Sequence, residues 1–64
     1  MNSYESLIKP IIEEMGISGK ADLFLKEGME AVHTFIAIHN EASVHQLSIV
    51  IRSHFRSLLS PSSD

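Results

Sequence analysis

The sequence predicts a small all-α domain, either a three-helix bundle or a helical hairpin with a third helix packed on it. Apolar residues recur three and four positions apart in three separate segments, which is the spacing of one face of an α-helix. Gly16 and the pair Asn40 and Glu41 interrupt the pattern between the segments. No segment shows the period of two that marks a strand. We therefore expect one helical domain over residues 1–60 and a short polar tail over residues 61–64.

The first helix is predicted over residues 3–15. Asn2 and Glu5 have the spacing of a reciprocal N-terminal cap, and the apolar residues that follow keep the helical period. Pro10 lies inside this segment, where proline removes a backbone hydrogen bond and crowds the preceding turn. The sequence thus predicts either a kink at Pro10 or a helix that begins close to Lys9.

The second helix is predicted from about residue 19 or 20 to residue 40, after a left-handed stop at Gly16 and an N-cap at Ser18. Its apolar residues form two adjacent rows that cover about half of the helix circumference. Because a single neighbour covers less than that, we expect this helix to be central. Gly28 is expected to mark a close helix crossing or a bend, since glycine costs about 1 kcal/mol relative to alanine inside a helix. The rows are Leu25, Met29, Val32 and Ile36, and Phe24, Ala31, Phe35 and Ile38.

The third helix is predicted to begin at Val44, after a capping box made by Ser43 and Gln46, and to end at Ser60 and Pro61. Its apolar residues recur at helical spacing throughout, which predicts one continuous amphipathic helix. They are Val44, Leu47, Ile51, Phe55, Leu58 and Leu59.

Length and composition favour association of this domain. The 64 residues are 44% hydrophobic and 20% charged, as in folded globular proteins. A single core of this size supplies only about 3 to 5 kcal/mol, and without cysteine the chain has neither disulfides nor thiolate metal sites. We therefore predict a homodimer. The residues predicted to form the core or the contact between copies are Leu25, Val32, Phe35, Ile36, Ile51, Phe55 and Leu58.

The other side of the third helix carries the residues predicted to bind a partner. His45, Ile49, Arg52 and Arg56 fall within about 60° of one another on a helical wheel. Arginine supplies planar donors for carboxylates, and an apolar residue between two arginines can form the desolvated centre of a contact. The alternative is a solvated face with one stray apolar residue. This surface leads to the main functional hypothesis, a small non-enzymatic regulator, adaptor or inhibitor that binds another protein.

A DNA-binding regulator that uses helix 44–59 is the alternative function. Ala37, Leu47 and Val50 fit the packing positions of a helix-turn-helix, although Glu41 stands where glycine is common. The side chains available for base edges would be Ser43, His45, Gln46 and Arg52. However, residues 1–41 hold three lysines and seven acids, a sum of −4, and residues 42–64 hold two arginines and one acid, a sum of +1. Such a chain matches a phosphate backbone poorly.

Catalytic and metal signatures are absent from the sequence. Glu30 and His33 have the Glu-x-x-His spacing of carboxylate-bridged metal bundles, but they lie on the polar side of the second helix. His39 and His54 border apolar faces and are interpreted as structural, with His54 able to sense pH if an interface buries it. No glycine-rich loop or nucleophile elbow accompanies the serines and histidines. We therefore expect no enzyme, no cofactor and no metal.

The compartment is predicted from the beginning of the chain and from its cysteine content. The first ten residues, MNSYESLIKP, lack a basic segment followed by an apolar run, and no apolar stretch approaches the length of a membrane span. The absence of cysteine fits a reducing environment. The expectation is a cytoplasmic protein.

Overall fold

The computed structural model describes residues 3–60, and they form three α-helices around one core. The helices are α1 (Ser3–Glu14), α2 (Ala21–Ile38) and α3 (Val44–Leu59), and a single turn of 3-10 helix (Ser18–Lys20) precedes α2. No strand occurs in residues 3–60. This confirms the predicted all-α architecture of three helices. The Asn2 cap and the tail over residues 61–64 lie outside the described residues.

α1 runs as one continuous helix through Pro10. It begins at Ser3 and not near Lys9, and the exposed ring of Pro10 lies inside it. Gly16 has a φ of 72°, the left-handed conformation that glycine adopts without strain, so the predicted stop at this position is confirmed. The predicted N-cap at Ser18 is wrong. This residue lies inside the 3-10 turn, and neither Ile17 before that turn nor Lys20 before α2 makes a side-chain capping bond.

The second interhelical connection follows the sequence prediction more closely. α2 ends at Ile38, two residues before the predicted end. The backbone N–H of Gln46 donates to the Ser43 hydroxyl at 3.1 Å, and the backbone N–H of Ser43 donates to Gln46 Oε1 at 2.9 Å. This reciprocal capping box starts α3 at Val44, as predicted.

The core lies where α1 packs across α2 and α3. The rings of Phe24 and Phe55 join α2 to α3 edge to face, with centroids 4.9 Å apart. Gly28 lies under α1, and a Cβ atom built at this position would be 3.0 Å from two side-chain carbons of Ile8. The predicted close helix crossing at Gly28 is therefore confirmed. The buried apolar side chains are Ile8, Ile11, Ile12, Phe24, Val32, Leu47, Ile51 and Phe55.

The predicted core residues divide into three groups. Val32, Ile51 and Phe55 are buried. The side chains of Leu25, Phe35 and Ile36 are partly buried and pack against the core cluster. Leu58 was predicted in the same set, as core or as contact between copies; 46% of it is exposed in the last turn of α3, so it lies outside the core, and its role in a contact between copies stays a prediction.

Three further residues of the predicted apolar rows also lie at the surface. Ile38 ends α2, Val44 begins α3, and Leu59 lies beside Leu58 in the last turn of α3. All three are exposed. Within residues 3–60, none of the helices is both long enough and apolar enough to cross a membrane.

Candidate protein-binding groove

A groove runs between α2 and α3 and has a volume of about 660 Å³. No residue of α1 lines it. The groove therefore lies on a part of the α2–α3 pair that α1 leaves open. We call it the α2–α3 groove. Its lining residues are Glu27, Glu30, Ala31, Thr34, Phe35, Ile38, Ile49, Val50, Ser53, His54 and Ser57.

One end of the α2–α3 groove is apolar. Phe35 and Val50 are half-buried and come from opposite walls. Ile38 and Ile49 stand beside them with 70% and 51% of their surfaces exposed. Single exposed apolar residues are ordinary, but several in one concave surface are typical of interaction sites.

A second, smaller groove adjoins the first. It has a volume of about 400 Å³ and shares Glu27 with the α2–α3 groove. Leu23 and Leu58 line it from α2 and α3 and are 50% and 46% exposed. The exposed apolar side chains between α2 and α3 therefore form two groups, one on each side of Glu27.

Polar groups separate these two apolar regions. Oε1 of Glu27 lies 3.0 Å from Nε2 of His54, and both side chains are partly buried. This contact joins α2 to α3. Glu30 lies one turn further along α2 and is exposed. The ionisable groups that line the α2–α3 groove are thus two carboxylates and one imidazole, with no lysine or arginine.

The four residues predicted to bind a partner differ in what they contact. Ile49 lines the α2–α3 groove, whereas His45 and Arg56 are exposed outside it. Nη2 of Arg52 donates to Oε1 of Glu14 at 2.8 Å, which ties this side of α3 to α1.

The contact between Glu14 and Arg52 shifts the pKa of both side chains. The hydrogen bond from the guanidinium, together with its positive charge, lowers the pKa of Glu14. The same hydrogen bond raises the pKa of Arg52. Arg52 therefore already has an acidic partner within its own chain.

The residues of the DNA-binding alternative fit the helix-turn-helix pattern only in part. Ser43 and Gln46 bond to each other in the capping box, which occupies polar groups that base recognition would need. Leu47 is buried, as an inward position requires. Ala37 is exposed, although the helix-turn-helix pattern needs a packed small residue there.

The remaining histidines contact aromatic rings. His33 is exposed and lies edge to face with Tyr4 of α1, with centroids 6.0 Å apart. The ring of His39 lies 4.3 Å from that of Phe35 at the end of α2. Among residues 3–60, no three His, Asp or Glu side chains come together in a way that could hold a metal ion.

Sequence reasoning identified Ile49 as a partner-binding residue and Phe35 as a residue of the core or of the contact between copies, and both line the groove. Ile38 had been placed in an apolar row, and the periodicity did not show that this end of the row would remain uncovered. The pairing of Glu27 with His54 depends on how two helices align, which no local spacing reveals. Comparisons of the chain with protein-family models, curated proteins and solved structures gave no match.

Proposed function

We propose that this chain is a small non-enzymatic protein-binding module, acting as a regulator, adaptor or inhibitor, and that it holds a helix of another protein in the α2–α3 groove. The observation that carries the proposal is the exposure of Ile38 and Ile49 in a groove that no other helix within residues 3–60 lines. Covering such side chains with a partner removes apolar surface from water, at roughly 25 cal/mol per Å².

The length of the groove suits a short helix. Its α2 wall extends from Glu27 to Ile38, eleven positions along one helix. At about 1.5 Å per residue this wall is about 16 Å long, which corresponds to three turns of a partner helix. An amphipathic helix laid in an apolar groove is a recurrent mode of peptide recognition, with anchors three, four and seven positions apart.

Charge favours another protein over a second copy as the occupant. In a symmetric dimer built on this groove, the same surface would face itself. The carboxylates of Glu27 and Glu30 from both copies would then lie in one interface, without a lysine or arginine in either lining. Like charges placed opposite one another oppose association. The homodimer predicted from the sequence is the competing occupant that an experiment must distinguish.

The decisive experiment compares two substitutions of equal chemistry. Ile38 is 70% exposed and lines the groove, whereas Val44 is 67% exposed and lines neither groove. The probe is a fluorescent, stapled helical peptide of three turns with leucine on one face and glutamine elsewhere. We expect Ile38→Glu to weaken its binding by at least about tenfold and Val44→Glu by less than about twofold, because only the first puts a charge against the apolar face.

Fluorescence anisotropy measures the affinities, and light scattering measures the mass of each variant. If the two substitutions have equal effects, the groove is not the binding site. If the wild-type chain is a dimer and Ile38→Glu alone dissociates it, a second copy occupies the groove instead of another protein.

The other functional expectations stay predictions from the sequence. The DNA-binding alternative predicts binding to duplex DNA that falls steeply with salt. A flat titration with duplex DNA at low salt would remove it. The cytoplasmic location likewise stays a prediction from the sequence.

A further inference from the structure

We infer that the partner helix is basic beside its apolar face, with lysine or arginine directed at Glu27 and Glu30. This inference rests on the proposed function, since it names the chemistry of the occupant of the same groove. It concerns the polar part of the lining, whereas the apolar end alone carries the proposal that a helix binds there.

The two carboxylates occupy neighbouring positions on one wall. Glu27 and Glu30 are three residues apart on α2 and therefore lie on the same side of that helix. Lys26 directly precedes Glu27 in sequence but does not line the groove. Arg56, on α3, is also exposed outside the lining. An occupant of the groove would therefore meet negative charge on its α2 side.

The two carboxylates differ in how far they are already engaged. Glu27 is partly buried against His54, which orients its carboxylate between the two apolar regions. Glu30 is exposed, and no hydrogen bond or ion pair engages it within the described part of the chain. Glu30 is thus the stronger candidate for a new ion pair with a partner.

Lysine and arginine suit this arrangement because their aliphatic stems can cover apolar surface while the charged end reaches a carboxylate. A cation seated in the groove is partly shielded from water, so its attraction to Glu30 exceeds that of a fully exposed pair. A glutamate at the same place would meet like charge and lose its hydration. The groove therefore distinguishes helices by the charge that flanks their apolar face.

The test uses two stapled helical peptides with the same leucine face, one flanked by lysine and the other by glutamate. At an ionic strength of about 0.02 M, we expect the lysine peptide to bind about tenfold more tightly than the glutamate peptide. At about 0.5 M the ratio should shrink towards one, because salt screens partly exposed charges. Anisotropy titrations measure both affinities, and circular dichroism checks that the peptides are equally helical.

Two isosteric variants locate the charge effect. Glu30→Gln removes a groove carboxylate, and Glu13→Gln removes an exposed carboxylate of α1 that lines neither groove. Both change the net charge by the same amount, so general attraction of a cationic peptide cancels between them. We expect Glu30→Gln to reduce the preference for the lysine peptide about threefold and Glu13→Gln to leave it unchanged.

The experiments distinguish a failure of this inference from a failure of the proposed function. If both peptides bind equally and Ile38→Glu weakens both, a helix binds in the groove but its charge is not selected, and this inference is wrong while the proposed function stands. If the two glutamine variants behave alike, the preference does not arise from the groove and the inference is equally wrong. If neither peptide binds, the proposed function fails as well.

Discussion

The two sides of the α2–α3 pair differ in how they are covered. On the side that α1 crosses, Ile8, Val32 and Ile51 have no exposed surface. In the groove between the same two helices, Ile38 and Ile49 are at least half exposed. Amphipathic helices thus supply apolar residues to both sides, but within residues 3–60 a third helix covers only one of them.

This difference separates what stabilises the chain from what is available for binding. α1 is 12 residues long and covers α2 and α3, which are 18 and 16 residues long, along only part of their surface. A further apolar helix over the groove would complete the arrangement of a four-helix bundle. We interpret the groove as the place where a partner supplies that helix.

Removing a buried ring should give the largest loss of stability. Phe55 is fully buried and packs on Phe24, so Phe55→Ala should cost about 3 to 5 kcal/mol, as much as the whole stability expected of so small a domain. In contrast, Ile49→Ala on the groove side should change the free energy of unfolding by about 0.5 kcal/mol or less. Urea denaturation followed by circular dichroism measures both. A large loss for Ile49→Ala would show that the groove is part of the core.

A substitution at the Gly28 crossing should change the free energy of unfolding by less, and the sign of the change should depend on Ile8. In Gly28→Ala the new methyl group would meet Ile8 at 3.0 Å, and this crowding should outweigh the gain in helix propensity by about 1 kcal/mol. In an Ile8→Ala background the crowding atoms are absent, so Gly28→Ala should become neutral or stabilising. Denaturation of the four chains of this cycle measures the reversal. If Gly28→Ala costs the same in both backgrounds, α1 does not press on Gly28.

The sequence was sufficient to predict the three helices, because local signals define them. The capping box of Ser43 and Gln46 and the left-handed Gly16 are short-range patterns, and both occur as predicted. The N-cap at Ser18 failed because a 3-10 turn took up the residues before α2, an alternative of similar local chemistry.

The site was less predictable, because it depends on which surfaces remain uncovered. Arg52 and Ile49 are neighbours on a helical wheel, yet one bonds to α1 and the other lines the α2–α3 groove. Leu58 follows Phe55 by three residues in the same apolar pattern, yet Phe55 is fully buried and Leu58 is 46% exposed. Periodicity describes one helix, whereas these outcomes depend on the lengths and crossing positions of three.

The bond between Glu27 and His54 links α2 to α3 beside the groove and should contribute modestly. We expect Glu27→Ala to cost about 0.5 to 1 kcal/mol, because it removes a partly buried hydrogen bond. Glu30→Ala, one turn away and exposed, should have an effect close to zero. Thermal denaturation of both variants gives the comparison. Equal effects would indicate that helix propensity, and not the bond to His54, accounts for the loss.

The ion pair between Glu14 and Arg52 should have the smallest effect and a defined pH dependence. The pKa of Glu14 is lowered from its ordinary value of 4.5, so the folded state favours the ionised carboxylate. Its stabilisation is therefore complete above that ordinary value and is lost as the pH falls through the lower pKa of the folded state. Arg52, whose pKa is raised by its hydrogen bond with Glu14, stays charged over this whole range.

Melting temperatures of the wild type and of Glu14→Gln, measured as the pH is lowered from neutrality, test this dependence. The small advantage of the wild type should be constant near neutrality, should disappear in acid and should shrink in high salt, because both side chains are accessible to water. Glu13→Gln is the matched control, since Glu13 lies on the same helix and makes no ion pair among residues 3–60. If Glu13→Gln shows the same dependence as Glu14→Gln, the effect is one of net charge, and the contact with α1 does not hold Arg52. In that case Arg52 would be free to join Ile49 and Arg56 in contacting a partner, and the binding surface would extend from the α2–α3 groove over the outer side of α3.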